Sequence, residues 1–391
     1  MALFGAFSYS ELASSLPRSG GEYHLLSQSV HPALGFSSGL VSATVGFSAP
    51  AVLAAMALGK YLSVVMPFFD PTWTAAIVII GFHVIHSFSK KVGKFIQNST
   101  TGIKIGLIIS FIIMGMLVPN PQQISILPKS GDGALFFNSG FAVSLVWVSF
   151  AYTGWNSTAY IAGEIIDPKK NISRSLLIST GFVIILYVLL NYVFLLSTPI
   201  HSMVGELEVG YISGVNIYGT MGAKIVSFGI AVLLISTVSS YIFIGPRIMQ
   251  VIGEDYSTLH FLSKRNKNGI PINAFLIQFI ISMLFILSSS FEQVLLYTSI
   301  ALIITTTATV FGVYILRKRE PDLNRPYHTW GYPFTPGIFI LLNIWIIYYT
   351  LMAKPIESFV GLAIVGLGII IYFFNKRIGK REANAPENQT T

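Results

Sequence analysis

The 391-residue sequence contains no cysteine, which excludes disulfides, thiolate metal sites and cysteine nucleophiles at once. It is also poor in charge. Only 10% of residues are Asp, Glu, Lys or Arg, against about 25% in a soluble domain. Missing too are a GxSxG elbow, an HExxH helix, a phosphate-cradling loop and any pair of acids within an apolar run, so neither an enzyme nor a bound cofactor is expected. Of seven histidines only His83 and His86 lie close, three apart. No carboxylate or third ligand sits near them, and no metal site is expected. What the sequence has in place of these is apolar length. It is 53% hydrophobic with a mean hydropathy of +0.69, more apolar surface than an aqueous fold of this size could cover. The runs far exceed the ~10 alternating residues of a membrane β-strand. The chain therefore reads as an all-α polytopic membrane protein in contact with lipid.

Candidate spans are 1–16, 32–59, 72–88, 101–118, 138–163, 175–198, 221–246, 272–290, 293–316, 333–353 and 356–374. Eleven crossings put the two ends on opposite sides. Twenty of the 24 basic residues, among them Arg18, Lys90, Lys91, Lys94, Lys104, Lys169, Arg247, Arg265, Arg317 and Lys376, fall to one side. Lys60, Lys129, Lys224 and Lys354 fall to the other. The positive-inside bias makes the first side and the C-terminus cytoplasmic. It also accounts for the net charge of +8 without a nucleic-acid partner. Residues 119–137, 199–220 and 253–271 are the longer loops, none large enough for a soluble domain. One membrane domain, 1–374, and a polar, disordered cytoplasmic tail, 375–391, are expected.

The first span is anomalous. Sixteen residues reach about 24 Å at ~1.5 Å per residue, short of a ~30 Å hydrocarbon core, and no basic signal region precedes them. The sequence is thus expected to be truncated at its N-terminus. Glu11 lies inside this span and is expected to pair with a cytoplasmic Arg or Lys.

One span is unlike the others. In SLVWVSFAYTGWNSTAYIAGEIIDPKKN (144–171), the run Thr153-Gly154-Trp155-Asn156-Ser157-Thr158 combines a flexible glycine with residues that favour helix starts. Two readings stand. The run is unwound backbone joining two half-helices, tolerable only where it lines a polar cavity, or it is a small-residue packing face. Lys104, two turns into its span, either snorkels to the interface or acts within the bundle. Ser236, Thr237, Ser239 and Ser240, with Tyr297 and Thr305–Thr307, are either interhelical glue or cavity lining.

Four stretches in order resemble a known family: GAFSYSELASSLPRSGGEYHLL, KKVGKFIQNSTTGIKIGLIISFIIMG, FAYTGWNSTAYIAGEIIDPKKNISRS and GPRIMQVIGED. They look like the second, fifth, sixth and eighth helices of amino acid permeases in the amino acid–polyamine–organocation (APC) superfamily. The resemblance implies an inverted-repeat (LeuT-like) fold and a secondary active amino acid transporter working by alternating access, proton-coupled or an exchanger. It places Phe150 as an occluding aromatic, and offers the carbonyls of Ala151, Tyr152 and Thr153, at the Gly154 break, to a substrate ammonium. Asn156 would help hold the amino group or cap the second half-helix, Ser236 and Thr237 would join the substrate site, and Lys104 would serve coupling or act as a structural cation. It also implies that the family's first helix and half of its site precede the sequence, as from a mis-started reading frame. The absence of cysteine implies no disulfide-linked subunit. A non-transporting membrane sensor, or an inactive truncated permease, is the rival reading.

Overall fold

The computed structural model describes residues 1–88, 91–125 and 127–383, in which there are helices and no strand. The expected basic anchor Lys90 and the tail from 384 lie outside the described residues. In chain order the helices are α1 (Ala2–Ser15), α2 (Glu22–Ser29), α3 (Pro32–Val41), α4 (Ser48–Val65), α5 (Pro71–Phe88), α6 (Lys91–Met116), α7 (Ser139–Ala151), α8 (Ser157–Tyr160), α9 (Pro168–Ser197), α10 (Val209–Asp255), α11 (Ile272–Ser288), α12 (Phe291–Arg319), α13 (Phe334–Ala353) and α14 (Pro355–Ala383). Seven of the described helical segments, taking α3 and α4 as one, are long and apolar enough to cross a membrane. The protein is a multi-pass membrane protein.

Local chemistry sets the boundaries. His31 caps α3, its Nδ1 accepting from Ala33 N at 3.1 Å, with Pro32 in the first turn, where a missing N–H costs nothing. A π turn, Ser42–Gly46, joins α3 to α4 without ending the span. A reciprocal Ser290–Gln293 capping box starts α12, and Arg317, Lys318 and Arg319 occupy its last turn, where the helix dipole favours cations.

Small residues let α4 and α10 approach closely. Ala51, Val52, Ala54 and Ala55 pack with Val238 and Ile242 in one buried cluster, the device by which membrane helices associate when lipid is as apolar as their side chains. Ile178, Ile185, Leu284 and Leu341 remain exposed and form part of the surface that a bilayer would cover.

Three expectations shift. The loop expected at 199–220 already holds helix from Val209. Gly219 (φ 71°, ψ 173°) breaks α10 there, a conformation open to glycine alone, so that Gly214 folds against Ala223. The span 138–163 breaks where expected, α7 stopping at Ala151, but its second half is shorter than a half-helix, because α8 is a single turn. Asp167, held at φ 49° before Pro168, turns the chain into α9. Finally, the tail expected from 375 begins as helix. Lys376 and Arg377 are good helix formers, and Thr258 Oγ1 donates to Asn375 Oδ1 at 2.5 Å.

Candidate functional site

The backbone from Tyr152 to Asn156 is a run of turns between α7 and α8. Gly154 sits at φ +96° with Tyr241 Oη facing it at about van der Waals range. Thr153 Oγ1 donates to Phe150 O at 2.7 Å, and Trp155 N to Tyr152 O at 3.3 Å. The carbonyls of Ala151 and Thr153 take part in no main-chain hydrogen bond among the described residues. Exposed backbone acceptors at membrane depth need a partner. Trp155 leans out of the turn onto Tyr9, ring centroids 4.7 Å apart and edge to face.

Two cavities meet at this turn, and a third adjoins the second. The first, of about 320 Å³, lies between α1, α7, α12 and α13 and is lined by Phe150, Tyr152, Thr153, Trp155 and Asn343 among others. The second, of about 290 Å³, includes Glu22, Lys104, Gly154, Asn156 and Thr237 in its walls. The third, of about 260 Å³, carries Arg247 and Arg265. The first two share Thr153, Trp155, Leu302 and Thr306. The second and third share Tyr160 and Ile244. The cavities thus stand in series, each sharing wall residues with the next, and each is close to the lower bound of small-molecule pockets, about 300 Å³.

The residues singled out from sequence divide accordingly. Thr153 lines both the first and the second cavity. Gly154, Asn156, Thr237 and Lys104 face the second, where Lys104 Nζ donates to Thr237 Oγ1 at 3.1 Å. The ammonium therefore turns toward α10. Phe150 and Tyr152 line the first cavity alone. Ala151 and Ser236 line none of the three. Ser236 is fully buried and donates to Leu233 O at 3.1 Å. One residue is about 100° of turn on a helix, enough to give Thr237 the cavity and Ser236 the interior.

His83 bonds within α5, and His86 reaches across to α10. His83 Nδ1 lies 2.8 Å from Ile79 O, and His86 Nε2 lies 2.9 Å from Ser239 Oγ.

Several residues that sequence reasoning passed over are central. Glu22, fully buried at the start of α2, receives Tyr9 Oη at 2.7 Å and Asn156 Nδ2 at 2.8 Å on Oε1, and Ser38 Oγ at 3.2 Å on Oε2. Tyr160 forms the wall to the third cavity, its hydroxyl 3.1 Å from Ser42 Oγ and its ring edge to face on Phe47. The Gly20–Gly21 turn clasps this segment, with Gly20 N donating to Tyr160 O and Gly21 N to Ala159 O, each at 3.2 Å. The signal in sequence was an acid directly after paired glycines.

The same end of the bundle is tied by charge. Arg18 Nη2 lies 3.1 Å from Asp255 Oδ1, Tyr23 Oη donates to Asp255 Oδ2 at 2.6 Å, and Arg265 pairs with Glu254 at 2.8 Å. Glu11 makes the pair expected of it. Arg317 donates through Nε at 2.8 Å and Nη2 at 2.6 Å, Thr329 N adds a bond at 2.7 Å, and Arg325 Nε stands 3.3 Å away.

Comparison with known proteins agrees with this architecture. The large neutral amino acids transporter small subunit 2 of Oryctolagus cuniculus is 25% identical over 381 residues, covering 94% of this chain and 70% of the relative. The b(0,+)-type amino acid transporter 1 of Mus musculus is 23% identical over 385 residues, covering 96% and 78%. The human cystine/glutamate transporter is 22% identical over 383 residues, covering 95% and 75%. The model of the amino acid permease family matches residues 1–374, and with the broken segment between α7 and α8 at the meeting point of its cavities, the chain belongs to that family.

Proposed function

We propose that the protein is a secondary active transporter that moves amino acids by alternating access, with the substrate held at the Thr153–Asn156 turn. The observation that carries this is the series of three cavities with the unwound turn between the first two. A path interrupted by two shared walls can open on one side while closed on the other. The wall of Thr153, Trp155, Leu302 and Thr306 is one gate, with Phe150 above it, and Tyr160 with Ile244 is the other.

The unpaired carbonyls of Ala151 and Thr153 suit a substrate ammonium, although Ala151 contributes backbone alone. Asn156 orients the turn, and Lys104, held at Thr237, serves coupling, by proton or by exchange. The positive-inside rule puts the end carrying Arg18, Arg265 and Arg317 in the cytoplasm, with the C-terminus, in a cell membrane. The relatives' names agree on an amino acid cargo and differ on which. Their transport role also weighs against an enzyme or a non-transporting sensor.

Purified protein in liposomes should take up labelled amino acids saturably, faster when the lumen is preloaded with the same substrate. Binding of an amino acid without any uptake would refute transport and favour a sensor.

A further inference from the structure

Glu22 is the buried acid that the transport reading leaves without a task. It touches the path at its most sensitive point. Its Oε1 accepts from Asn156, which belongs to the unwound turn, and from Tyr9 on α1, while Ser38 on α3 holds Oε2. One carboxylate therefore joins the turn to two neighbouring helices. Immediately before it, Gly20 and Gly21 grip the main chain of Tyr160 and Ala159, so the same few residues bind both the turn and the Tyr160 wall. Resting on the transport reading, we propose that Glu22 is a positioning residue of the transport path, its carboxylate holding the Tyr160 gate shut through Asn156 and its protonation releasing it.

The chemistry gives the direction. Hydrogen bonds to an ionised acceptor are about twice as strong as neutral ones. Protonating Oε2 keeps the shape of the cluster, since Ser38 Oγ can rotate to accept. It weakens the two bonds on Oε1, the Asn156 bond among them. No cation within salt-bridge distance of Glu22 is found among the described residues, so nothing holds it ionised except these donors. It lies outside the apolar spans, and burial raises its carboxyl above the ordinary value. The titratable and polar groups around it are Tyr9 from α1, Ser38 from α3, Thr305 from α12, Asn156 and Tyr160 from the turn and α8, and Lys104 and Tyr241 across the second cavity. His24, two residues on, is held neutral by burial, its value lowered to about 4, and so changes no charge between pH 5 and pH 8.

The sequence has no native thiol, so single cysteines report without background. Ser157→Cys places one in the second cavity, and Lys264→Cys places one on the exposed surface of the basic end. Membrane vesicles of both orientations would be treated with a membrane-impermeant maleimide, and the side that labels Lys264→Cys taken as the basic side. The expected result is that the Ser157→Cys to Lys264→Cys rate ratio from that side rises on acidification from pH 8 to pH 5. Glu22→Gln should fix the ratio high at both pH values, roughly tenfold above the pH 8 value of the parent. A pH-independent ratio in the parent, or a Glu22→Gln variant that keeps the parent's pH dependence, overturns the proposal. The parent series needs no change at Glu22 and so reads out even if Glu22→Gln fails to fold. Uptake into liposomes is scored separately. Labelling as expected with no uptake would sink the transport reading and leave the gate, whereas pH-dependent uptake with flat labelling would do the reverse.

Discussion

Replacing Gly21 by alanine tests the clasp between the Gly20–Gly21 turn and the Tyr160 wall. Gly21 has φ +56° and ψ −134°, a region occupied almost only by glycine, where another residue costs of order 1–3 kcal/mol. Its new Cβ would stand 2.4 Å from the Tyr160 ring. An ordinary contact begins near 3.4 Å, so the ring must retreat by about 1 Å and loosen its 3.1 Å contact with Ser42 Oγ. Overpacking of this kind adds about 1–3 kcal/mol, for a total of about 2–6 kcal/mol. At about 2.1 cal/mol/K per residue, unfolding of 391 residues carries about 0.8 kcal/mol/K, and Tm should fall by roughly 2–7 °C. Gly181→Ala is the control: it lies inside α9 with nothing within 4 Å of the added carbon, and should gain up to about 1 kcal/mol. Thermal melts of both variants in one detergent, with amino acid uptake alongside, make the comparison. Equal Tm values for the two, or full uptake by Gly21→Ala, would refute the claim that Gly21 sets the position of Tyr160.

Further outcomes follow from other contacts. Glu11→Ala leaves Arg317 and Arg325 facing a buried gap and should cost about 3–5 kcal/mol in melts; adding Arg317→Ala should cost less in that background than alone, and strict additivity would count against the pair. Lys104→Ala removes the ammonium at Thr237 and should change the pH or coupling dependence of uptake, whereas an unchanged profile would reduce it to a structural contact. Phe150→Ala should lower uptake more than substrate binding, and equal losses in both would argue against a lid. His24, lowered from 6.5 to about 4 by burial, takes up its proton in the unfolded chain first. Stability from this group is therefore complete above about pH 6.5 and falls by about 2–3 kcal/mol as pH drops toward 4; melts across that range should show a shallower decline in His24→Gln.

Much of this was legible in sequence because the bilayer imposes a simple code. Apolar length located the helices, and Gly154 with Asn156 located the turn, since local propensity there runs against a helix. Glu11 could be matched to a basic partner because an acid inside a short apolar run has few alternatives. What stayed hidden depends on contacts between distant parts of the chain. Asn156 and Glu22 are 134 residues apart, and no periodicity connects them. Ser236 and Thr237 are chemically alike in sequence, and the rotation of α10 alone separates a buried hydroxyl from one facing Lys104. The single turn of α8 was hidden by the residues after it, which read as a continuing span, whereas Gly163 N in fact donates to Ser19 Oγ of the loop after α1.

The pairing of Glu11 with Arg317 also sets an order of events during synthesis. The two residues are 306 positions apart, and a ribosome adds about 5–20 residues per second. Roughly 15–60 s therefore pass between the appearance of the acid and that of its partner. For that interval α1 carries a carboxylate that the bilayer interior disfavours, so its final seat must wait until α12 arrives. The earlier helix is completed by the later one.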